Sequence, residues 1–496
     1  MCYGAPMVPR FLSRREVLLA LARYAPAAAL LGCGASAASA ASDAAASADG
    51  AGDAGTDGAN PVVPAVDSGV PEAARTADIL VIGAGIAGLR AAEVLVKAGK
   101  KVIVLEGRDR LGGRIVTDRS LGVPLDLGAS WIHGVTGNPV AARASVEGIP
   151  TVRVDYSAAI FDANGQRRPA TDAGRIDRAV KSLATGGRDA SPAGDESLRI
   201  ALDRAIAAAT YTASQRLEIE MGITSVFEHE YAADASELSA NHFDDGADEA
   251  GGDALFPSGF DAVVHAVARG LDVRLGHAVT AIDSSRALAT VRTNQGDFHA
   301  SKVIVTVPLG VLKAGAIAFT PALSSAKISA IRRLGMGTLS KTYLQFPSTF
   351  WPAEVELIDR IPAASERGQW VESLNASALV NLPVLLMFNA GAFGRSVEAM
   401  TAPEVLASAS AALRALFPSS FQAPTAVLRS AWSADPFARG AYSFLAVGSS
   451  LADRDALAAP QGSLFFAGEA CSRDHGATVH GAYTSGEKAA AAILAG

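Results

Sequence analysis

Cysteine is scarce: Cys2, Cys33 and Cys471 are the only three among 496 residues. That excludes a disulfide scaffold and a cysteine-rich metal centre. Basic charge is not in excess, since 43 Lys and Arg face 50 Asp and Glu for a formal net charge of −7. Such a chain has no electrostatic affinity for nucleic acid. No apolar run is long and clean enough for a transmembrane span of ~20 residues. Charged residues are only 19% of the chain, whereas hydrophobic residues reach 49%. A large core is therefore available and wholesale disorder is excluded. The length exceeds one ordinary domain and predicts two or three.

The first segment reads as an address rather than as fold. Ser13-Arg14-Arg15-Glu16-Val17-Leu18 places paired arginines before a mildly apolar stretch that ends at Leu30-Leu31-Gly32-Cys33. The arginine pair resembles a twin-arginine export signal, and the end resembles a bacterial lipobox whose cysteine is lipidated. Residues 1–33 are thus expected to be a signal. The protein is expected to be exported, either periplasmic or a membrane-anchored lipoprotein facing the periplasm, with any membrane attachment only through this N-terminal anchor. Residues 34–75 are rich in Ala, Ser, Gly and Asp, have no aromatic residue, and read as a flexible tether.

Asp78-Ile79-Leu80-Val81-Ile82 is a short apolar run suited to a buried parallel strand. Gly83-Ala84-Gly85-Ile86-Ala87-Gly88 follows, then a helix-forming stretch from Leu89 to Ala98 and a second strand, Lys101 to Leu105, ending at Glu106. Gly83, Gly85 and Gly88 have the spacing of a dinucleotide fingerprint inside a complete β-α-β unit. The glycines provide a tight turn, close backbone approach to a pyrophosphate, and close helix–strand packing. Glu106 stands where a carboxylate accepts from ribose hydroxyls. Arg108 and Arg114 then flank Gly112-Gly113, a bare backbone between cations suited to a second pyrophosphate contact.

The run from Glu106 to Arg114, together with Asp126-Leu127-Gly128-Ala129-Ser130-Trp131-Ile132-His133-Gly134, resembles the flavin-containing amine oxidase family. The segments Leu464 to Glu469 and Gly476 to Gly486 resemble its C-terminal signature. The resemblance spans nearly everything from Ala77 to Leu494. It implies an α/β fold, a Rossmann-like FAD-binding domain with an inserted α+β substrate-binding domain. The FAD domain is expected over 76–135, 255–312 and 436–496, and the substrate domain over 136–254 and 313–435. It further implies that Gly128, Ala129, Ser130, Trp131, the backbone of Val279, Trp432, Glu469, Thr478 and Val479 hold FAD, with Glu469 bonding its ribityl or phosphate region.

The resemblance also assigns the reaction centre. Lys341, on an alternating strand facing the same side as Leu339 and Tyr343, matches a lysine that holds a water next to the flavin. Tyr442 matches one half of an aromatic pair, and the other half falls at Thr478, which argues against a tight monoamine cage. Ala441 stands where some members carry a flavin-linked cysteine, so FAD is expected to be non-covalent. His133 is a candidate for meeting a substrate amine, and the alternative is a structural histidine. The acidic loop His242 to Glu249 reads either as a guide for a polycation or as a solvated loop. The expected activity is FAD-dependent oxidation of a C–N bond of a polyamine or other amine, with O2 reduced to H2O2. Two alternatives are an L-amino acid oxidase, which would need an arginine for the carboxylate, and a lipid-anchored flavoprotein without turnover.

Overall fold

A computed structural model describes residues 75–191, 194–247 and 249–496. The signal, Cys33 and nearly the whole tether lie outside these residues. The strand β1 (Thr76–Ile82), the helix α1 (Ile86–Lys97) and the strand β2 (Val102–Leu105) form the expected parallel unit, with Ile79 opposite Val102 and Ile82 opposite Leu105. Every residue of β2 is buried: Val102 and Val104 lie in the core shared with α1, and Ile103 and Leu105 in a second core shared with Ile282, Val291 and Phe298 of neighbouring strands.

The long strand β3 (Gly296–Val305) organises the eight-stranded sheet. Its second half runs parallel to β1 on one side and to Leu464–Phe466 on the other. Its first half continues into an antiparallel meander with Ala289–Thr293 and Val279–Asp283. The C-terminal helix α2 (Val479–Leu494) lies across α1, backbone against backbone: a Cβ on Gly486 would sit 2.1 Å from the carbonyl oxygen of Ala87. Arg90 and Glu487 tie the same two helices by an ion pair.

A second, six-stranded sheet is built from Ala158–Phe161, Leu339–Gln345, Leu357–Arg360, Glu372–Asn375, Val384–Ala390 and Ala426–Arg429. It has its own apolar core around Leu344, Trp351, Trp370 and Leu413. The boundary expected at residue 313 falls later. Ala318–Thr320 pairs in parallel with Val279–Asp283 and so belongs to the first sheet. The helix Ser325–Arg333 stays with it too, because the buried ammonium of Lys327 donates to the carbonyls of Ala456, Leu457 and Ala459 at the end of helix Leu451–Ala458. A three-stranded ribbon of Trp131–Ile132, Ala254–Leu255 and Val152–Arg153 lies where the two sheets approach. Among the described residues no helix is long and apolar enough to cross a membrane.

Candidate active site

One cavity of about 1270 Å³ runs from the Gly-rich turn after β1 to the inner face of the second sheet. At its first end, α1 begins at Gly85 with no side-chain cap, so its first N–H groups open into the cavity. A Cβ on Gly85 would meet no atom within 4 Å, whereas one on Gly88 would lie 2.1 Å from the carbonyl oxygen of Gly83. Gly85 therefore keeps space open for a ligand, and Gly88 lets helix and strand touch. Gly112 and Gly113 both take positive φ, 92° and 61°, which brings their backbone against Gly85. An uncapped helix start facing this bare backbone fits a diphosphate.

Glu106 is buried and accepts from the N–H of Ala84 at 2.8 Å and of Arg108 at 2.9 Å. Its remaining lone pairs are available to a ribose. Arg108 donates to Asp435 at 2.7 Å and lies over the Phe437 ring. Arg114 donates to the carbonyl of Ala441 and to Glu469, at 2.8 and 2.9 Å. Glu469, expected to bond the ribityl or phosphate region of the cofactor, lines the cavity, and its carboxylate also accepts from Arg114, from the Ser443 hydroxyl at 2.6 Å and from the Ala477 N–H at 3.1 Å. Burial pushes its pKa up, but the Arg114 and Arg454 guanidinium groups override this and hold it below the ordinary carboxylate range. Glu469 thus locks the cavity wall around Arg114, Ala441 and the approach to α2. Cys471, close by in sequence, is a partly buried thiol pushed up to about 12 by desolvation.

The middle wall is the segment 126–131. Ala129 donates to the Arg114 carbonyl, and the indole N–H of Trp432 donates to that of Leu127. A Cβ on Gly128 would lie 1.8 Å from the carbonyl oxygen of Arg114, so only glycine allows this contact. Lys341 lies at this wall, on a strand paired on both sides, and is 4% exposed, so it does not sit at a solvated strand edge. It faces the same side as Tyr343, whose hydroxyl donates to the Asp126 carbonyl. Its ammonium donates to the carbonyls of Asp126 and Gly128 and to the Ser130 hydroxyl, at 3.1, 2.5 and 2.5 Å. All three of its hydrogens are therefore engaged by protein. Burial lowers its pKa to about 8, against the opposing pull of Asp126. Burial likewise raises Asp126 to about 6.

The far end is aromatic. Trp131 stacks on His133 and tilts against Phe388, with ring centroids 6.5 and 5.9 Å apart. The Tyr442 hydroxyl donates to the carbonyls of His229 and Glu230. Thr478 caps α2, accepting from the Gly481 N–H at 2.9 Å. Val279 and Val479 line the cavity, as do all the other expected site residues except Gly88, whose part is packing.

Several lining groups carried no motif in the sequence. Asp253 accepts from His133 Nδ1 at 2.9 Å, from the Tyr156 hydroxyl at 2.6 Å and from the Gly134 N–H at 2.9 Å. Burial pushes the Asp253 carboxyl up, but His133 and Tyr156 outweigh it and hold it well below the usual range. His229 and Glu372 reach the same end, as does Glu249 with His475. In the acidic loop, exposed Asp244 pairs with Arg188 and Asp245 with His242.

A sequence profile described as flavin-containing amine oxidoreductase matches residues 86–494. The chain belongs to that family. It is 36% identical to polyamine oxidase 4 of Oryza sativa subsp. japonica over 83% of this chain and 87% of that one. It is 34% identical to polyamine oxidase 2 of Arabidopsis thaliana, over 84% of this chain and 88% of that one. It is also 34% identical to lysine-specific histone demethylase 2 of Homo sapiens, over 86% of this chain but only 54% of that longer protein. A redesigned putrescine oxidase double mutant has the same fold, with a TM-score of 0.69 at 22% identity, over 85% of this chain and 99% of that one. Membership makes this chain a FAD-dependent amine oxidase, and the cavity's uncapped helix start, Glu106 and the paired glycines are the groups that would hold the cofactor.

Proposed function

We propose that the substrate is a diamine or polyamine, oxidised at one C–N bond while a second cationic nitrogen is held deeper in the aromatic end. The observation that carries this reading is His229. It is 6% exposed, lines the cavity, and neither ring nitrogen has a hydrogen-bond partner among the described residues. Its Nδ1 lies 3.9 Å from a carboxylate oxygen of Glu372. A buried imidazole beside a carboxylate on a cavity wall suits a cationic donor. The cations lining this end, Lys181 and Arg188, are paired with Asp177 and Asp244, which disfavours a carboxylate-bearing substrate such as an amino acid.

When bound, FAD would supply the two-electron acceptor for the amine's α C–H bond, with O2 reduced to H2O2, and water would hydrolyse the imine product to a carbonyl and an amine. The chain's own part is binding and exclusion of water. Trp131, Phe388 and Tyr442 enclose the alkyl chain in an apolar wall. Asp253 orients the His133 ring through Nδ1 at the cavity wall, where it can meet the entering amine.

A peroxide assay over monoamines, diamines, polyamines and L-amino acids tests this directly. Glu372→Gln is expected to raise KM for a diamine by about 10- to 100-fold, the worth of one hydrogen bond to a charged group. KM for a monoamine is expected to stay within about twofold. An equal effect on both would show that Glu372 does not meet the second nitrogen. With Ala441 in the linking position, acid precipitation is expected to release all flavin to the supernatant; flavin in the pellet would reject non-covalent binding.

The chain's site of action is proposed from the sequence alone. Arg14 and Arg15 would direct the folded, FAD-loaded protein outward, and Cys33 would hold it at a membrane facing the periplasm. Cys33→Ala is expected to move the protein from the membrane fraction to the soluble periplasmic fraction. Unchanged attachment would reject lipidation.

A further inference from the structure

We propose that His475, His480 and Glu249 form a binding site for one divalent cation of the zinc class, on the wall of the same cavity beside the start of α2. One carboxylate oxygen of Glu249 lies 3.1 Å from His475 Nδ1 and 2.8 Å from His480 Nε2. The three ligand atoms all lie within 4.8 Å of one another. Ligands at ~2.1 Å from a tetrahedral zinc are ~3.4 Å apart. The nitrogen–oxygen edges of 3.1 and 2.8 Å therefore need to open by roughly 0.3 and 0.6 Å, and the nitrogen–nitrogen edge, no longer than 4.8 Å, to settle to the same length. Two imidazoles and one carboxylate suit zinc and its neighbours and disfavour magnesium or calcium, which take oxygen shells. Glu249 and His475 line the cavity, so a fourth position would open to water.

The two histidines are held by a rigid frame. Thr478 Oγ1 donates to the His475 carbonyl at 2.8 Å and accepts from the Gly481 N–H. A Cβ on Gly481 would lie 1.8 Å from that same carbonyl oxygen, and Ala477 takes a left-handed φ of 63°. The segment carrying Glu249 is docked independently: the Ala247 N–H donates to the Asp474 carbonyl and the Thr136 N–H to that of Ala250, at 2.8 and 3.0 Å. Preorganisation on both sides lowers the entropic cost of binding. Proton balance is simple. Each imidazole moves its proton to its other ring nitrogen, and the ion takes the lone pairs now turned to Glu249. The ion would clamp the Glu249 segment onto the start of α2. It would also add positive charge beside Thr478, opposing an entering ammonium.

The test uses FAD-loaded enzyme, stripped with a chelator and dialysed against micromolar zinc sulfate, with metal and flavin counted per chain. One zinc per chain is expected. Glu249→Gln, which keeps an acceptor for both rings, and His475→Asn, at a partly exposed position, are each expected to weaken retention by ~100-fold or more with an unchanged flavin spectrum. Zinc is expected to raise the melting temperature of the wild type and not of Glu249→Gln. No zinc retained by the wild type, or equal retention by both variants, would overturn the site. Because binding is read without substrate, this result stands apart from the amine assignment.

Discussion

Gly85→Val is expected to give a folded, colourless protein, and Gly88→Ala to give no soluble folded protein. The two glycines are three residues apart and fail for opposite reasons. Around Gly85 a new Cβ meets nothing within 4 Å, and its backbone is extended, with φ −73° and ψ 171°. Valine tolerates that conformation. Its methyls would project into the cavity over the uncapped N–H groups of α1. Losing two charge-assisted hydrogen bonds from a diphosphate costs about 3–6 kcal/mol, or roughly 10²- to 10⁴-fold in FAD affinity. At Gly88 the new Cβ would lie 2.1 Å from a backbone oxygen and 2.8 Å from the Thr306 hydroxyl oxygen, inside the main core. Relief requires moving α1 off β1, and α1 also carries α2 across its outer face. Far-ultraviolet circular dichroism and the flavin-to-protein absorbance ratio read both outcomes. A yellow Gly85→Val enzyme would show that the diphosphate lies elsewhere.

That contrast also marks what was legible in the sequence. The β-α-β unit is local: two apolar runs, three glycines and an acid lie within thirty residues, and each has one physical use. The C-terminal strand and helix were legible for the same reason. Depth was not. Alternation along Leu339–Gln345 shows which face Lys341 shares with Tyr343, but not that neighbouring strands bury it. Glu469 was legible as a polar group at a strand end. Its partner Arg114 comes from 355 residues away in the chain, so that contact depends on tertiary packing. The Asp253 contacts and the His229–Glu372 approach carry no motif at all. Asp253 reaches His133 only because Trp131–Ile132 pairs with Ala254–Leu255, a ribbon of two-residue strands too short to be read from periodicity. The domain boundary slipped for a related reason: Ala318–Thr320 is a three-residue edge strand.

Lys341→Met is expected to lower turnover by about two to four orders of magnitude, the range for a positioned proton-transfer or electrostatic group. Methionine keeps most of the stem and removes the charge. It also leaves the carbonyls of Asp126 and Gly128 and the Ser130 hydroxyl without their donor. Those acceptors belong to the wall that lines the cavity, so water from the cavity can replace part of the loss. A net cost of about 1–3 kcal/mol follows, a fall of a few degrees in melting temperature, with FAD retained because the diphosphate end is untouched. The pH dependence separates the charge from the strut. In the wild type the ammonium titrates near pH 8. The cation that favours charge developing on O2 is therefore present below about pH 8 and lost above it. Reoxidation by O2 is expected to slow as pH rises through that value, and the variant is expected to be slow and flat. Stability moves the other way. The lysine is depressed in the folded state from 10.5 to about 8, so between those values the unfolded chain binds the proton that the folded chain has released. Wild-type stability gains from this group as pH rises across that window, and the variant lacks the gain. Stopped-flow reduction and reoxidation at several pH values read the first effect, and thermal melts the second. A variant that is merely less stable, with normal rates in both half-reactions, would make Lys341 a strut for the 126–131 wall and nothing more.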